Sequence, residues 1–255
     1  MSTKLLQDKV AIVTGAGRGL GEAIARAYAD EGAKVIVSDI DAAAAQRVAD
    51  SLPGASAVAC DVRVPEQVEA LVAAAVKQHG RLDIMVPNAG VATLSPLAAT
   101  SYEQWREVTS VNLDGVFLCI RYAAPALVAA GGGAIITMAS VTAKAACALI
   151  GSYAAAKAGV VSLTQTAATE LRAHNIRVNA ILPAFIETDL VKAHKKEFEQ
   201  MLGIPDFDAV VAQRQGRYGT AAEVANLAVF LASGRSSFSN GSGFVLDGGV
   251  SSSLL

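Results

Sequence analysis

The stretch VAIVTGAGRGLG, Val10–Gly21, decides the fold. VAIVT is a short apolar run without in–out alternation, the pattern of a strand buried on both faces. It runs directly into glycines at 15, 17, 19 and 21, and helical spacing begins at about residue 20. Glycine lets backbone N–H groups approach a pyrophosphate, and a helix that starts there aims the positive end of its dipole at the anion. A glycine-rich segment can also be a plain tight turn. The position after a first strand and before a helix is what points to a dinucleotide. Gly15, Arg18, Gly19, Leu20 and Gly21 are the candidate contacts.

Working outward, comparable apolar runs recur at Lys34–Asp39, Ala57–Asp61, Leu82–Val86, Ala134–Ala139, Arg177–Leu182 and Gly243–Leu246. Helical spacing fills the intervals at about 41–51, 65–79, 101–130, 152–173 and 220–232. Strand–helix alternation predicts an α/β fold: a doubly wound, parallel, seven-stranded sheet of Rossmann type with helices on both faces. No Pro/Ser-rich linker or internal repeat divides residues 1–255, so one domain is expected. The stretch 187–216 breaks the rhythm; it is polar, irregular and far above the usual loop length, and it is expected to be a substrate lid.

Composition narrows the function. Hydrophobic residues make up 53% of the 255 and charged residues 17%, so some surface is expected to lie against other subunits. A net charge of −2 argues against a nucleic-acid backbone as partner. The three cysteines, Cys60, Cys119 and Cys147, form no C-x-x-C pair, and MSTKLLQDK has no apolar signal core; a reducing cytoplasm is expected. The charge-free run 122–143 is long enough to suggest a membrane span, but Pro125 and Gly131–Gly133 break it into a helix end, a turn and a buried strand, and no membrane partner is expected. His79, His174 and His194 lack metal-ligand spacing, and no metal is expected.

Asp39 ends the second strand, eighteen residues beyond Gly21. A carboxylate there accepts bonds from the adenosine ribose hydroxyls and repels a 2′-phosphate, which favours NAD over NADP. Arg18 pulls the other way, and Asp39 could also simply cap the helix starting near Asp41. Ile40 adjoins it. Asp61 and Val62 at the end of the third strand are placed to meet adenine. Asn88, Ala89 and Gly90 supply small residues at the carboxyl edge, where open α/β sheets bind ligands.

Ser140 follows AIITMA; Tyr153 comes thirteen residues later, and Lys157 four after that. Positions i and i+4 share a helix face, so the phenol and the ammonium point together toward the sheet edge. Asn112 is expected to open the preceding long helix. A free tyrosine pKa of about 10 is too high for a base at neutral pH, and a nearby Lys⁺ favours the phenolate. Lowering it by about two units takes roughly 2.7 kcal/mol, which a close cation in a partly dry site supplies. Alone, Tyr153 and Lys157 also read as a surface pair; Ser140, Asn112 and the glycine turn argue against that.

TGAGRGLG, the Asn88-Ala89-Gly90 turn and the set Asn112, Ser140, Tyr153 and Lys157 together make the chain resemble, over nearly its whole length, the short-chain dehydrogenase/reductase family. The resemblance implies that Ser140 binds the substrate oxygen and Tyr153 is the general acid/base. It implies that Lys157 holds the nicotinamide ribose and lowers the Tyr153 pKa, and that Asn112 helps hold a relay water. It also implies that Pro183, Ile186 and Thr188 contact the cofactor, and that subunits form homotetramers or homodimers, with SSSLL near an interface. Three positions depart from the family pattern. Ala184 stands for a glycine and resists positive φ. Pro87 stands for a polar residue. Gln215 precedes Gly216-Arg217 where proline patterns are common, so a different lid closure is expected.

The expected reaction is interconversion of a hydrophobic secondary alcohol and its ketone with NAD(H). The small-molecule pocket is expected from Val91, Thr93, Leu94, Val141 and Thr142, with Cys147, Leu149 and Phe185. Met201 and Leu202 are expected from the lid. An NADPH-dependent 3-oxoacyl-carrier-protein reductase is the alternative, disfavoured by Asp39 and by a 126–134 segment without a basic residue. A dinucleotide-binding regulator without turnover is disfavoured by the intact Ser-Tyr-Lys set.

Overall fold

The computed structural model describes residues 4–252; residues 253–255 of the closing SSSLL lie outside it. Seven strands form one sheet: β1 Val10–Thr14, β2 Lys34–Asp39, β3 Ser56–Ala59, β4 Ile84–Val86, β5 Gly133–Met138, β6 Ile176–Pro183 and β7 Gly243–Leu246. Their order is β3-β2-β1-β4-β5-β6-β7, and every neighbouring pair is parallel. The expected doubly wound α/β sheet is present.

Strand β1 shows why alternation is missing from the sequence. All five of its residues are buried. Ala11 and Val13 face a core with Ile24 and Tyr28 of α1 (Gly19–Asp30), Val48 of α2 (Ala42–Asp50) and Val224 of α9 (Ala221–Ala232). Val10 and Ile12 face the opposite core, with Leu71 of α3 (Pro65–His79) and Cys119 of α5 (Gly115–Ala129). With helices on both sides, each position has an apolar neighbour whichever way it points.

The helix expected over 101–130 is continuous but not uniform. Helix α4 (Tyr102–Thr109), started by a Ser101–Gln104 capping box, passes through a π-helical turn, Ser110–Asp114, into α5. Asn112 therefore lies inside the long helix instead of opening it. Gly115 follows because a Cβ there would stand 2.7 Å from Val62 Cγ2. Residues 102–129 are long and apolar enough to cross a membrane, yet they pack against α3 and against α6 (Gly151–Leu171). The apolar run 122–143 divides as expected into the end of α5, a turn at Gly131-Gly132 with φ of 87° and 127°, and β5.

The segment 187–216 is not irregular. It forms two helices, α7 Asp189–Leu202 and α8 Phe207–Gln215. Thr188 caps the first, left-handed Gly203 ends it, and Asp206 caps the second. Lys196 and Glu197 of HKKEFEQ are exposed, Glu199 accepts the Phe207 N–H at 3.0 Å, and Phe198, Phe207 and Val211 are buried. Lys195 and Tyr218 both bond the Asp208 carboxylate and tie the lid to the chain beyond it.

Candidate active site

The sheet order reverses between β1 and β4, so the chains leaving their carboxyl ends diverge and open a crevice. The glycine turn lines it. A Cβ on Gly15 would stand 2.7 Å from Ala89 Cα, and one on Gly21 only 2.2 Å from the Gly15 carbonyl oxygen. Gly19, at φ 59°, faces open space. Arg18 is extended and puts no side-chain cap on α1, so the first-turn N–H groups near Leu20 keep their donors free. Asn88 locks the turn from β4 by donating Nδ2–H to the Thr14 and Gly15 carbonyls at 2.8 and 3.2 Å. A narrow, amide-lined, glycine-paved crevice fits a pyrophosphate.

Asp39 stands beside this turn. Its carboxylate accepts N–H bonds from Gly17 at 2.9 Å and from Asp41 at 3.0 Å. The cap of α2 is Asp41, not Asp39. Arg47 donates to the Gly17 carbonyl at 2.6 Å. Ile40 is 65% exposed on the same rim. Asp61 is engaged otherwise than expected. Arg63 grips its carboxylate at 2.6–3.0 Å and holds it below the usual carboxylate range, so the group placed for adenine is already in an ion pair. Val62 is buried over Gly115.

The polar quartet assembles at the crevice. Asn112 is fully buried and donates Nδ2–H to the Val91 and Val108 carbonyls at 2.7 and 2.9 Å, while its Oδ1 has no partner among the described residues. A Cβ on Gly90 would stand 2.7 Å from that Oδ1 and 3.7 Å from Lys157 Nζ, which places these three residues together. Lys157 donates to the Met138 carbonyl at 2.7 Å. Burial lowers its pKa to about 8. Ser140 follows β5 in extended backbone, its hydroxyl accepts the Thr142 N–H at 3.2 Å, and it lines the same cavity as the Tyr153 phenol.

The electrostatics differ from the expectation. Burial raises the Tyr153 pKa above the ordinary tyrosine value, and the Ser140 hydroxyl opposes it. The Lys157 ammonium lies 5.4 Å from the tyrosine ring centroid and is bonded to a carbonyl. In the protein itself, desolvation of both groups outweighs the attraction that the i, i+4 spacing suggested.

Beside Ser140 and Tyr153 opens a cavity of about 250 Å³. Leu94, Val141, Thr142, Cys147 and Phe185 line it; Val91, Thr93 and Leu149 are not among its lining residues. Leu149 adopts φ 71° and its carbonyl accepts the Ser95 N–H at 2.7 Å, a strained anchor for the loop before α6. Met201 and Leu202, expected from the lid, lie outside the wall, each 41% exposed at the end of α7. Leu190, Val191, His194 and Phe198 of α7 and Phe207 of α8 take their place. The helical period of α7 was the signal for Leu190, Val191 and His194, and its charges concealed that period. Burial pushes the Cys147 thiol up, against thiolate chemistry.

The three departures acquire reasons. Ala184 has no positive φ; its N–H simply bonds the Leu246 carbonyl at 3.1 Å. Pro87 directly follows β4, and its carbonyl accepts the Met138 N–H at 3.2 Å. Buried Gln215 clamps the Phe185 peptide, accepting its N–H at 3.0 Å and donating to its carbonyl at 2.8 Å. Pro183, Ile186 and Thr188 lead from β6 into α7, with Ile186 buried against Gly219. Among the described residues no three His, Cys, Asp or Glu side chains gather as a metal cluster.

A family profile described as enoyl-(acyl carrier protein) reductase matches residues 15–251. A cyclohexanol dehydrogenase of Acinetobacter sp. (strain SE19) is 39% identical, over 99% of this chain and 98% of its own. A galactitol 2-dehydrogenase of Agrobacterium fabrum is also 39% identical, over 96% and 98%. Among solved structures, a gluconate 5-dehydrogenase from Burkholderia cenocepacia J2315 in complex with NADP and tartrate superimposes with a TM-score of 0.89 at 32% identity, covering 99% of each chain.

Proposed function

The chain belongs to the short-chain dehydrogenase/reductase family, and from that premise we propose that it is an NAD(H)-dependent oxidoreductase interconverting a hydrophobic secondary alcohol and its ketone. One observation carries this reading: Ser140 and Tyr153 open onto a cavity whose other walls are almost wholly apolar. Relatives named as dehydrogenases of alcohols and polyols support the reaction type.

The nicotinamide dinucleotide, when bound, takes up or returns the hydride. Gly15, Gly19, Gly21 and the start of α1 would hold its pyrophosphate, and Asn88, Ala89, Gly90, Ile186 and Thr188 would border it. Asp39 supports NAD, because its carboxylate stands at the glycine turn with no cation bonded to it among the described residues, where a 2′-phosphate would meet like charge. Tyr153 takes the hydroxyl proton in oxidation and returns it in reduction. Ser140 donates to the same oxygen as negative charge grows on it. Lys157 keeps a positive charge behind the phenol, and the Oδ1 of Asn112 offers a hydrogen-bond acceptor that would help hold a relay water.

Assembly as a homotetramer or homodimer fits the apolar side chains left uncovered, Phe117 and Val128 on α5 and Phe238 and Val245 at the β7 end. A cytoplasmic setting fits three free cysteines. The deciding experiment measures reduced-cofactor absorbance with NAD or NADP and a panel of cyclic, aliphatic, aryl and steroid alcohols. Turnover of apolar secondary alcohols with a preference for NAD is expected. Faster turnover of a long-chain 3-oxoacyl thioester with NADPH would overturn the reading.

A further inference from the structure

Apart from Ser140 and Tyr153, three side chains in the cavity wall carry a polar atom: Thr142, Cys147 and His194. Thr142 Oγ1 is buried away from the open space, and the Cys147 thiol is directed to the Ala148 carbonyl at 3.6 Å. His194 differs. It lies on α7 on one stripe with Leu190, Val191 and Phe198, which also line the cavity, so packing alone would place an apolar residue there. Its Nδ1 is 3.2 Å from Glu197 Oε2, and the side chain is 21% exposed. A carboxylate only accepts, so Nδ1 carries the hydrogen and Nε2 is the atom left for a ligand. No hydrogen bond engages Nε2 among the described residues.

We propose that His194 reads a second hydroxyl of the substrate, so that the preferred alcohol is a compact, largely apolar diol with one carbinol at Ser140 and Tyr153 and the other at the lid. This rests on the reading above. A hydroxyl is the matching group because it both donates and accepts, and so satisfies Nε2 whether the ring is neutral or protonated. A carboxylate would need a cation, and no Lys or Arg lines the cavity. A purely hydrocarbon substrate would leave Nε2 facing apolar surface without a partner, which is costly in a desolvated site.

The test is the ratio of kcat/KM for cyclohexane-1,3- and 1,4-diol to that for the matched methylcyclohexanols. It is measured in the wild type, in His194→Phe, which keeps the packing and loses the ring nitrogens, and in His194→Gln, which keeps a donor and an acceptor. Loss of one hydrogen bond lowers the diol preference roughly tenfold in the Phe variant, and the Gln variant retains most of it. Dinucleotide binding and Tm verify that each variant is folded, and His194→Leu replaces His194→Phe if the latter is not. A ratio unchanged in both the apolar and the Gln variants, with alcohols still turned over, overturns the inference alone. Absence of turnover for every alcohol in the wild type overturns the underlying reading, and this inference with it.

Discussion

The glycine turn and the lid border the same crevice and are built on opposite terms. At the turn, shape comes from the main chain. Gly15 and Gly21 admit no Cβ, Asn88 fastens two carbonyls, and Asp39 holds the Gly17 N–H. At the lid, shape comes from side chains. Phe198 stacks on Phe207 with ring centroids 5.2 Å apart, Phe207 meets Phe185 edge-on at 5.1 Å, and Gln215 secures Phe185 from below. A site made of main chain has little freedom to vary its ligand. A site made of side chains on two capped helices can change what it accepts by changing one residue. On the proposed reading, one part would fix the dinucleotide and the other would select the alcohol.

The comparison is open to direct attack. The largest effect is expected where the two parts meet: Tyr153→Phe should lower kcat by roughly 10³-fold and leave dinucleotide affinity nearly unchanged. Near-normal turnover would remove the phenol from the chemistry. Next, Gly21→Ala should cost about 1–3 kcal/mol of overpacking and weaken dinucleotide binding by up to about a hundredfold, measured by fluorescence titration. Unaltered binding would mean that the turn is not a tight cradle. Phe198→Ala should raise the alcohol KM about tenfold, by loss of one aromatic contact and its buried area, with dinucleotide affinity intact. An equal loss in both would show that lid and turn are not separate.

The smallest expected effect is in the pH profile. Lys157 is displaced downward to about 8, so its charge is present below that pH and lost above it. Tyr153 is displaced upward and keeps its proton there. Reduction needs both the proton and the charge, so its kcat/KM should fall to about half near pH 8 and continue downward. Oxidation, which needs Tyr153 without its proton, should not gain over the same interval, because loss of the Lys157 charge disfavours the phenolate. A flat reduction profile between pH 7 and 9 would detach Lys157 from the reaction.

The same contrast explains what the sequence disclosed. The sheet was legible because β1, β2 and β5 lack alternation and glycines punctuate them. The fate of 187–216 was not, because Lys195, Lys196, Glu197 and Glu199 hid the apolar stripe of α7, and a helix read as polar loop. Met201 and Leu202 look like the pocket residues of such a loop, yet helical phase turns Val191, His194 and Phe198 inward instead. Spacing predicted that Tyr153, Lys157 and Ser140 lie near one another, as they do, but not that burial would outweigh the attraction between phenol and ammonium, since burial cannot be read from a four-residue interval. Likewise the Arg63 grip on Asp61 and the Gln215 clamp depend on three-dimensional neighbours that no local pattern announces.

The strand order has a consequence for how the protein is made. β1 ends in the middle of the sheet, with β2 on one side and β4 on the other. As the chain leaves the ribosome, β1, β2 and β3 can pair first, while the far side of Val10–Thr14 stays bare until Ile84–Val86 emerges. A nascent chain of that length presents an apolar, unpaired strand to its surroundings, the kind of surface to which chaperones bind and through which stalled chains aggregate.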